Sequence, residues 1–417
     1  MRSCLKLLPL LVIVAFGAFA NSLLFLDVSA TYVEGEITQD TIWTLTDSPF
    51  VVSKDVTIYS GATLTMEPGI EVKFGGNFSL IVNGRLSAKG TQDNVITFTS
   101  NKDQPGASDW NTIQFSGTLQ SELIYCSIKY ATNGITVENG DIRIENCEIS
   151  TNFRNGFTIV NSRAEVENNE ITSNFENGIY ITGDNDVAIQ NNTIRSNRNG
   201  IVLAGDSTTG VSITGNTVIS NIESGIQLNA KDYNNVVILK NVLSANNHGF
   251  YVSGQASTYI RNNSISYNVI GISYRGVQNY AGIQAHEAHW NDIYGNELGV
   301  DILSGADIIV IVDAEYNYWG DESGPYHRSL NPDGKGNPVG GDGVNLDFVF
   351  FLTAPIGYIN QRPTARLLTD KKVVLPNHAV TFIGTTSSDD RQVDQYFYDF
   401  GDGETSGWTS LSIFVHE

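Results

Sequence analysis

Basic residues are scarce in this chain. Twenty-four Lys and Arg stand against 45 Asp and Glu, a formal net charge of −21 over 417 residues. A surface this acidic repels nucleic acid and anionic membranes, so neither is an expected partner. A polyanionic substrate is compatible only with a local basic cleft. The acidity keeps a long exposed surface soluble, with calcium or another cation as the competing reading. Past the first 26 residues no apolar run is long enough to span a bilayer. After residue 30 no stretch carries a helical period, which turns the reading toward strands. Cysteine is nearly absent: Cys4, Cys126 and Cys147 are the only three.

The one long apolar run is at the start. Arg2 and Lys6 precede residues 7–20, and Ala18-Phe19-Ala20 is a cleavage-like triplet, so 1–20 reads as a signal peptide. Val28-Ser29-Ala30 is a second possible cut, and Leu23-Leu24-Phe25-Leu26 supports an uncleaved anchor as the rival. Export to a secreted or cell-surface location, with no membrane insertion once the signal is removed, is the expectation.

What the sequence has in abundance is a repeat. Asn133-Gly134, Asn155-Gly156, Asn177-Gly178 and Asn199-Gly200 are followed by Ser224-Gly225, His248-Gly249 and Ile270-Gly271. Successive glycines are 22, 22, 22, 25, 24 and 22 residues apart. A period of this size marks a solenoid whose units bury their apolar faces against one another. Each repeat holds about three short alternating runs separated by Asn, Gly, Ser and Asp, the pattern of short strands. They fit one coil of a parallel β-helix, with strands stacked at ~4.8 Å on the next coil.

Two columns of amides are predicted. Cys126, Cys147, Asn169, Asn192, Asn216, Asn241, Asn263 and Asn291 form one, and Asn152, Asn174, Asn197, Asn221, Asn246, Asn268 and Asn296 the other. Stacked Asn side chains hydrogen-bond along a column, which satisfies all but the end members. The glycine is expected to take a positive φ. The residue after it (Ile135, Phe157, Ile179, Ile201, Ile226, Phe250, Ile272, Val300) is expected to point inward. Cys126 and Cys147 head the first column on neighbouring coils, as a disulfide or as two buried thiols.

Right-handed crossovers are the rule for parallel strands. On these motifs the chain resembles the right-handed parallel β-helix family, shared by pectate lyases and by periplasmic proteins of nitrous-oxide-reductase maturation. The resemblance covers roughly residues 45–350, with 56–74 similar to the opening coils of secreted members and Asn317-Tyr318-Trp319-Gly320 to the closing segment. It implies an all-β fold with caps over 31–354 and is nearly silent on reaction. Residues 355–362 form a proline-flanked linker. Residues 363–417 then resemble an immunoglobulin-like PKD sandwich through Tyr398-Asp399-Phe400-Gly401-Asp402-Gly403, with Trp408 and His416 downstream. These 55 residues fall short of the ~100 of such a sandwich, so an incomplete domain and further C-terminal domains are expected.

Candidate chemistry is sparse. Outward positions Tyr180, Gln227, Asn229, Tyr251 and Arg275 suit a carbohydrate-binding stripe; the plainer reading is an ordinary exposed sheet face. Glu145 with Glu167, and Glu148 with Glu170, should stack as carboxylate pairs able to serve a glycosidase or to bind calcium, or simply form a solvated ridge. His286, His289 and Asp292 are metal-ligand types, but the two histidines would face opposite ways on a strand. Asp184, Asn185, Asp186 and Asp206 sit in turns that calcium can use weakly. Asn77, Asn191 and Asn262 begin glycosylation sequons. The leading expectation is a non-enzymatic surface protein that binds glycans or other cell-surface molecules and needs no cofactor. A polysaccharide lyase or glycoside hydrolase is the second class, and metal (copper) handling the third.

Overall fold

A computed structural model describes residues 30–253, 257–275, 286–303, 312–341, 345–356, 365, 367–370, 379–385, 387 and 396–416. The signal segment lies outside the described residues. Short strands alternate inward apolar and outward polar residues, as period-two sequence demands. Each coil contributes one strand to each of three parallel ladders. Sheet a contains Ile135–Glu138 and Phe157–Val160; sheet b, Asp141–Glu145 and Arg163–Glu167; sheet c, Glu148–Ser150 and Glu170–Thr172. Parallel pairing runs from Thr31 against Phe50 to Tyr318 against Leu352.

Like residues stack in files. Ile135, Phe157, Ile179, Ile201, Ile226, Phe250, Ile272 and Val300 pair in succession along sheet a, and all are fully buried. Burying each such side chain contributes roughly 1.5–3 kcal/mol, and only neighbouring coils supply the contacts.

The amide columns form at two corners. In the first, between sheets b and c, Asn192 Nδ2 and its backbone N–H both donate to Asn216 Oδ1 at 2.9 Å, and Nδ2 also donates to the Val166 carbonyl at 2.9 Å. The same triple arrangement recurs at Asn169, Asn216, Asn241, Asn263 and Asn291, and the column ends on Asn317. In the second, between sheets c and a, Asn152 to Asn296 behave alike and Asn337 closes the file. Asn317 and Asn337 extend columns the repeat spacing had ended at Asn291 and Asn296.

Glycine plays a different part from the one expected. Gly134, Gly156, Gly178, Gly200, Gly225, Gly249 and Gly271 do not have positive φ. They are conserved in the repeat by crowding: a Cβ on Gly156 would lie 2.8 Å from both the Gly178 carbonyl and Asn174 Nδ2. The left-handed residues are instead those preceding each ladder amide, such as Asn168 (φ 56), Asn191 (φ 55) and Ser173 (φ 58).

Cys126 and Cys147 are both buried free thiols. Cys147 stands where later coils carry Asn, and its Sγ accepts the Cys126 backbone N–H at 3.3 Å, as an amide oxygen would. Of the two arrangements weighed, the structure has the pair of buried thiols. Burial, then the Cys147 hydrogen bond, pushes the Cys126 thiol well up. Neither thiol is expected to react with a thiol reagent in the native protein, and both should react after unfolding, as a colorimetric thiol titration with and without denaturant will read.

Beyond the solenoid, Leu368–Thr369, Val380–Ile383 and Ile413–His416 form a three-stranded antiparallel sheet, and Tyr396–Asp399 pairs with Thr405–Thr409 in a hairpin. Gly401 (φ 81) and Gly403 (φ 99) make its turn, and the Tyr396 and Tyr398 rings stack on one side.

Candidate functional site

The Glu files are largely ion-paired. Glu145 pairs in register with Glu167, and Glu148 with Glu170, as the spacing predicted. Three of the four are matched by a cation: Arg143 reaches Glu145 at 2.5 Å, Lys129 reaches Glu148 at 2.8 Å, and Arg195 bonds Glu170, while Glu167 has no ion pair among the described residues. This is a charged ridge with salt bridges across coils, and it lacks the paired, uncompensated carboxylates of a glycosidase centre.

His286, His289 and Asp292 do not converge. His286 points into the core, its Nδ1 3.1 Å from Thr258 Oγ1 and its ring edge-on to Tyr274. His289 points outward, Nε2 2.6 Å from Asp313 Oδ1. Asp292 lies beyond the corner on Asp292–Tyr294 and accepts the Ile356 N–H at 2.8 Å. Period-two alternation along His286–His289 separates the imidazoles, and no cluster of three metal-ligating side chains occurs among the described residues. Asp184, Asp186 and Asp206 are likewise dispersed onto Thr209, Arg163 and Lys231.

Burial depresses the His286 imidazole to about 4. The unfolded chain takes up this proton near 6.5, whereas the folded site resists until about 4, so acid favours unfolding. Stability should therefore fall as pH drops from about 6.5 to about 4, and His286→Phe should flatten that stretch of a pH series of urea midpoints.

The polar groups that do converge are on sheet a. Thr158, Tyr180, Val202, Gln227, Tyr251, Ser273 and Asp301 stack in one outward file. Over its middle is a depression of about 310 Å³ lined by Asn199, Glu223, Ser224, Gln227, Asn247, His248 and Tyr251. A third amide file leads to it: Asn177 Nδ2 donates to Asn155 Oδ1 at 2.8 Å, Asn199 Nδ2 to Asn177 Oδ1 at 3.0 Å, and Ser224 Oγ to Asn199 Oδ1 at 2.6 Å. At His248 the file breaks. The imidazole instead meets the Tyr251 ring edge-on at 5.2 Å. Burial, then the positive charge of Arg275, holds it below the ordinary imidazole range, so it is neutral at neutral pH.

Three buried polar atoms on this face have no hydrogen-bond partner: His248 Nδ1, Asn229 Oδ1 and Ser273 Oγ. Unsatisfied buried groups are rare in folded proteins, and of these three His248 also lines the depression. Arg275 and Asp301 pair at 2.6 Å on the next coils, and Arg198 holds Glu223 at 2.8 Å. A larger depression of about 380 Å³ on sheet b is lined by Asp232, Tyr233, Asn235, Val237, Thr258 and Tyr259 among others, a more apolar mixture than that on sheet a. Gln227, Asn229, Tyr251 and Arg275 were legible as outward positions. Glu223 and His248 were not singled out, although His in place of the Asn before a repeat glycine was the available signal. Of the predicted stripe only Gln227 and Tyr251 line the depression; Tyr180, Asn229 and Arg275 lie outside it.

The model of a right-handed β-helix region matches residues 111–265. The solenoid is a right-handed parallel β-helix. A 75-residue stretch is 37% identical to Protein bark beetle of Drosophila melanogaster; it is 17% of this chain and 2% of that protein's length. Among solved structures, the periplasmic alginate epimerase AlgG is 15% identical, with 75% of this chain and 84% of that chain covered and a TM-score of 0.47. The A-module of the mannuronan C-5 epimerase AlgE6 of Azotobacter vinelandii is 17% identical over 79% of this chain and 91% of that chain, with a TM-score of 0.41. At these identities the likeness is one of β-helix shape. Among the described residues no helix is long and apolar enough to cross a membrane.

Proposed function

We propose that this protein is an exported, cell-surface or secreted β-helix that binds glycans in the sheet a depression. The observation that carries the reading is the depression lined by Gln227, Asn247, His248 and Tyr251, in which His248 Nδ1 has no hydrogen-bond partner. Sugar hydroxyls donate and accept at once, so they suit such a set, and an aromatic ring supplies the apolar face. Adjacent coils fix these groups without ordering a loop, which keeps the entropic cost of binding low. The C-terminal sheets carry the PKD-like Tyr398-Asp399-Phe400-Gly401-Asp402-Gly403 sequence, which fits a spacer or adhesion module.

A second reading has its own support: a neutral His248 with a free ring nitrogen beside the Tyr251 phenol is an acid–base pair for a polysaccharide lyase or hydrolase. A glycan array on the intact secreted protein, run with a polysaccharide-degradation screen, tests both. We expect glycan binding without product, and a loss of at least about tenfold in affinity for Gln227→Ala and Tyr251→Ala. Chelation of calcium should leave binding unchanged. No binding to any glycan would sink the proposal; product formation abolished by His248→Ala would install the enzymatic reading.

A further inference from the structure

The corner between sheets b and c changes character at its C-terminal end. The left-handed residue before each member of the column is Tyr125 (φ 48), Asn146 (φ 53), Asn168 (φ 56), Asn191 (φ 55), Gly215 (φ 70), Lys240 (φ 57) and Asn262 (φ 56), and then Trp290 (φ 56) and Tyr316 (φ 57) on consecutive coils. Left-handed backbone suits Asn and disfavours bulky side chains, so these aromatics run against the local preference. Phe350 completes the file, and the Tyr316 N–H donates to its carbonyl. The rings lie nearly parallel: Trp290 and Tyr316 are 4.9 Å apart at 9°, and Tyr316 and Phe350 6.3 Å apart at 11°. All three are exposed, at 41%, 37% and 60%.

The flank of this file is acidic. Glu287, Asp313 and Asp347 stack outward in register on sheet b. Arg261 is taken by Glu287, and His289 lies 2.6 Å from Asp313 with its ring edge-on to Tyr316. Glu315 and Asp347 have no ion-pair partner among the described residues. Burial, then Asp347 and Asp313, raises the Glu315 carboxyl. We propose that the Trp290–Tyr316–Phe350 file and its carboxylate flank form a second binding site, for a glycan bearing protonated amines. Aromatic faces stack on sugar C–H surfaces and attract cations through the ring quadrupole, and the carboxylates add charge complementarity. The same charges repel a polyuronate, and the chain's net charge of −21 opposes nucleic-acid bases as occupants of the stack.

Calorimetric titration of the intact protein with a glucosamine tetrasaccharide, its fully N-acetylated counterpart and a mannuronate tetrasaccharide tests the site. The amine form is expected to bind, the acetylated form at least about tenfold more weakly, and the uronate not at all. Trp290→Asn with Tyr316→Asn restores the residue of earlier coils; it should keep the circular dichroism spectrum and abolish amine binding. Glu315→Gln with Asp347→Asn should weaken amine binding and leave the aromatics in place. Tyr251→Ala on sheet a should leave it unchanged, which separates this site from the one proposed above. Equal binding of amine and acetylated forms, amine binding that survives the aromatic double variant, or amine binding that the carboxylate double variant leaves at full strength, overturns the proposal. So does absence of amine binding by the unaltered protein, in which case the file only closes the last coils.

Discussion

Asn192→Leu should destabilise the protein by at least about 3 kcal/mol, read as a lowered urea midpoint. Leucine shares the branching and heavy-atom count of the asparagine side chain but none of its bonds. The change removes both donations from Asn192 Nδ2 and both acceptances by its Oδ1, from the Asn169 N–H and Nδ2 at 2.9 Å. Asn169 and Asn192 are buried, so water cannot replace them. Two orphaned donors at about 1–3 kcal/mol each set the estimate. Asn192→Cys should cost less, because Cys147 already accepts a backbone N–H in the same column. Equal stability of Asn192→Leu and the parent would show that the ladder contributes nothing.

Gly178→Ala should be as damaging, at more than about 3 kcal/mol, or should prevent folding. Its Cβ would lie 2.7 Å from the Gly200 carbonyl, 2.8 Å from Ile194 Cγ2 and 3.0 Å from Asn197 Nδ2. Two of these belong to backbone or to the amide ladder, so neither yields without breaking register. Gly61→Ala is the informative contrast: its φ is +90° and nothing lies within 4 Å of the new Cβ. That substitution should cost only about 1–2 kcal/mol, the ordinary penalty of a left-handed alanine. A reversed order of the two variants would restore positive φ as the reason for the repeat glycine.

Much of the fold was legible because the repeat is nearly constant in length. A 22-residue spacing places Ile135, Phe157 and Ile179 at the same point on successive coils, and the register confirms it. The amide columns were readable for the same reason, as was the stacking of Glu145 on Glu167. The role of the glycine was not, because crowding from the next coil and a left-handed backbone leave the same letter in a sequence. The partner of Glu148 was also hidden. Lys129 belongs to the adjacent coil and approaches Glu148 only once the coils stack.

The order of letters alone dictated a winding of short strands with apolar residues turned in and amides at the corners, since period and alternation are properties of the chain. Where the two proposed sites fall was decided by packing. Gln227, His248 and Tyr251 line one depression because coils of unequal length align there, and Trp290, Tyr316 and Phe350 stack despite spacings that break the repeat. Insertions between coils shift position in the sequence without shifting the hydrogen-bonded register, so only the folded chain shows which side chains become neighbours.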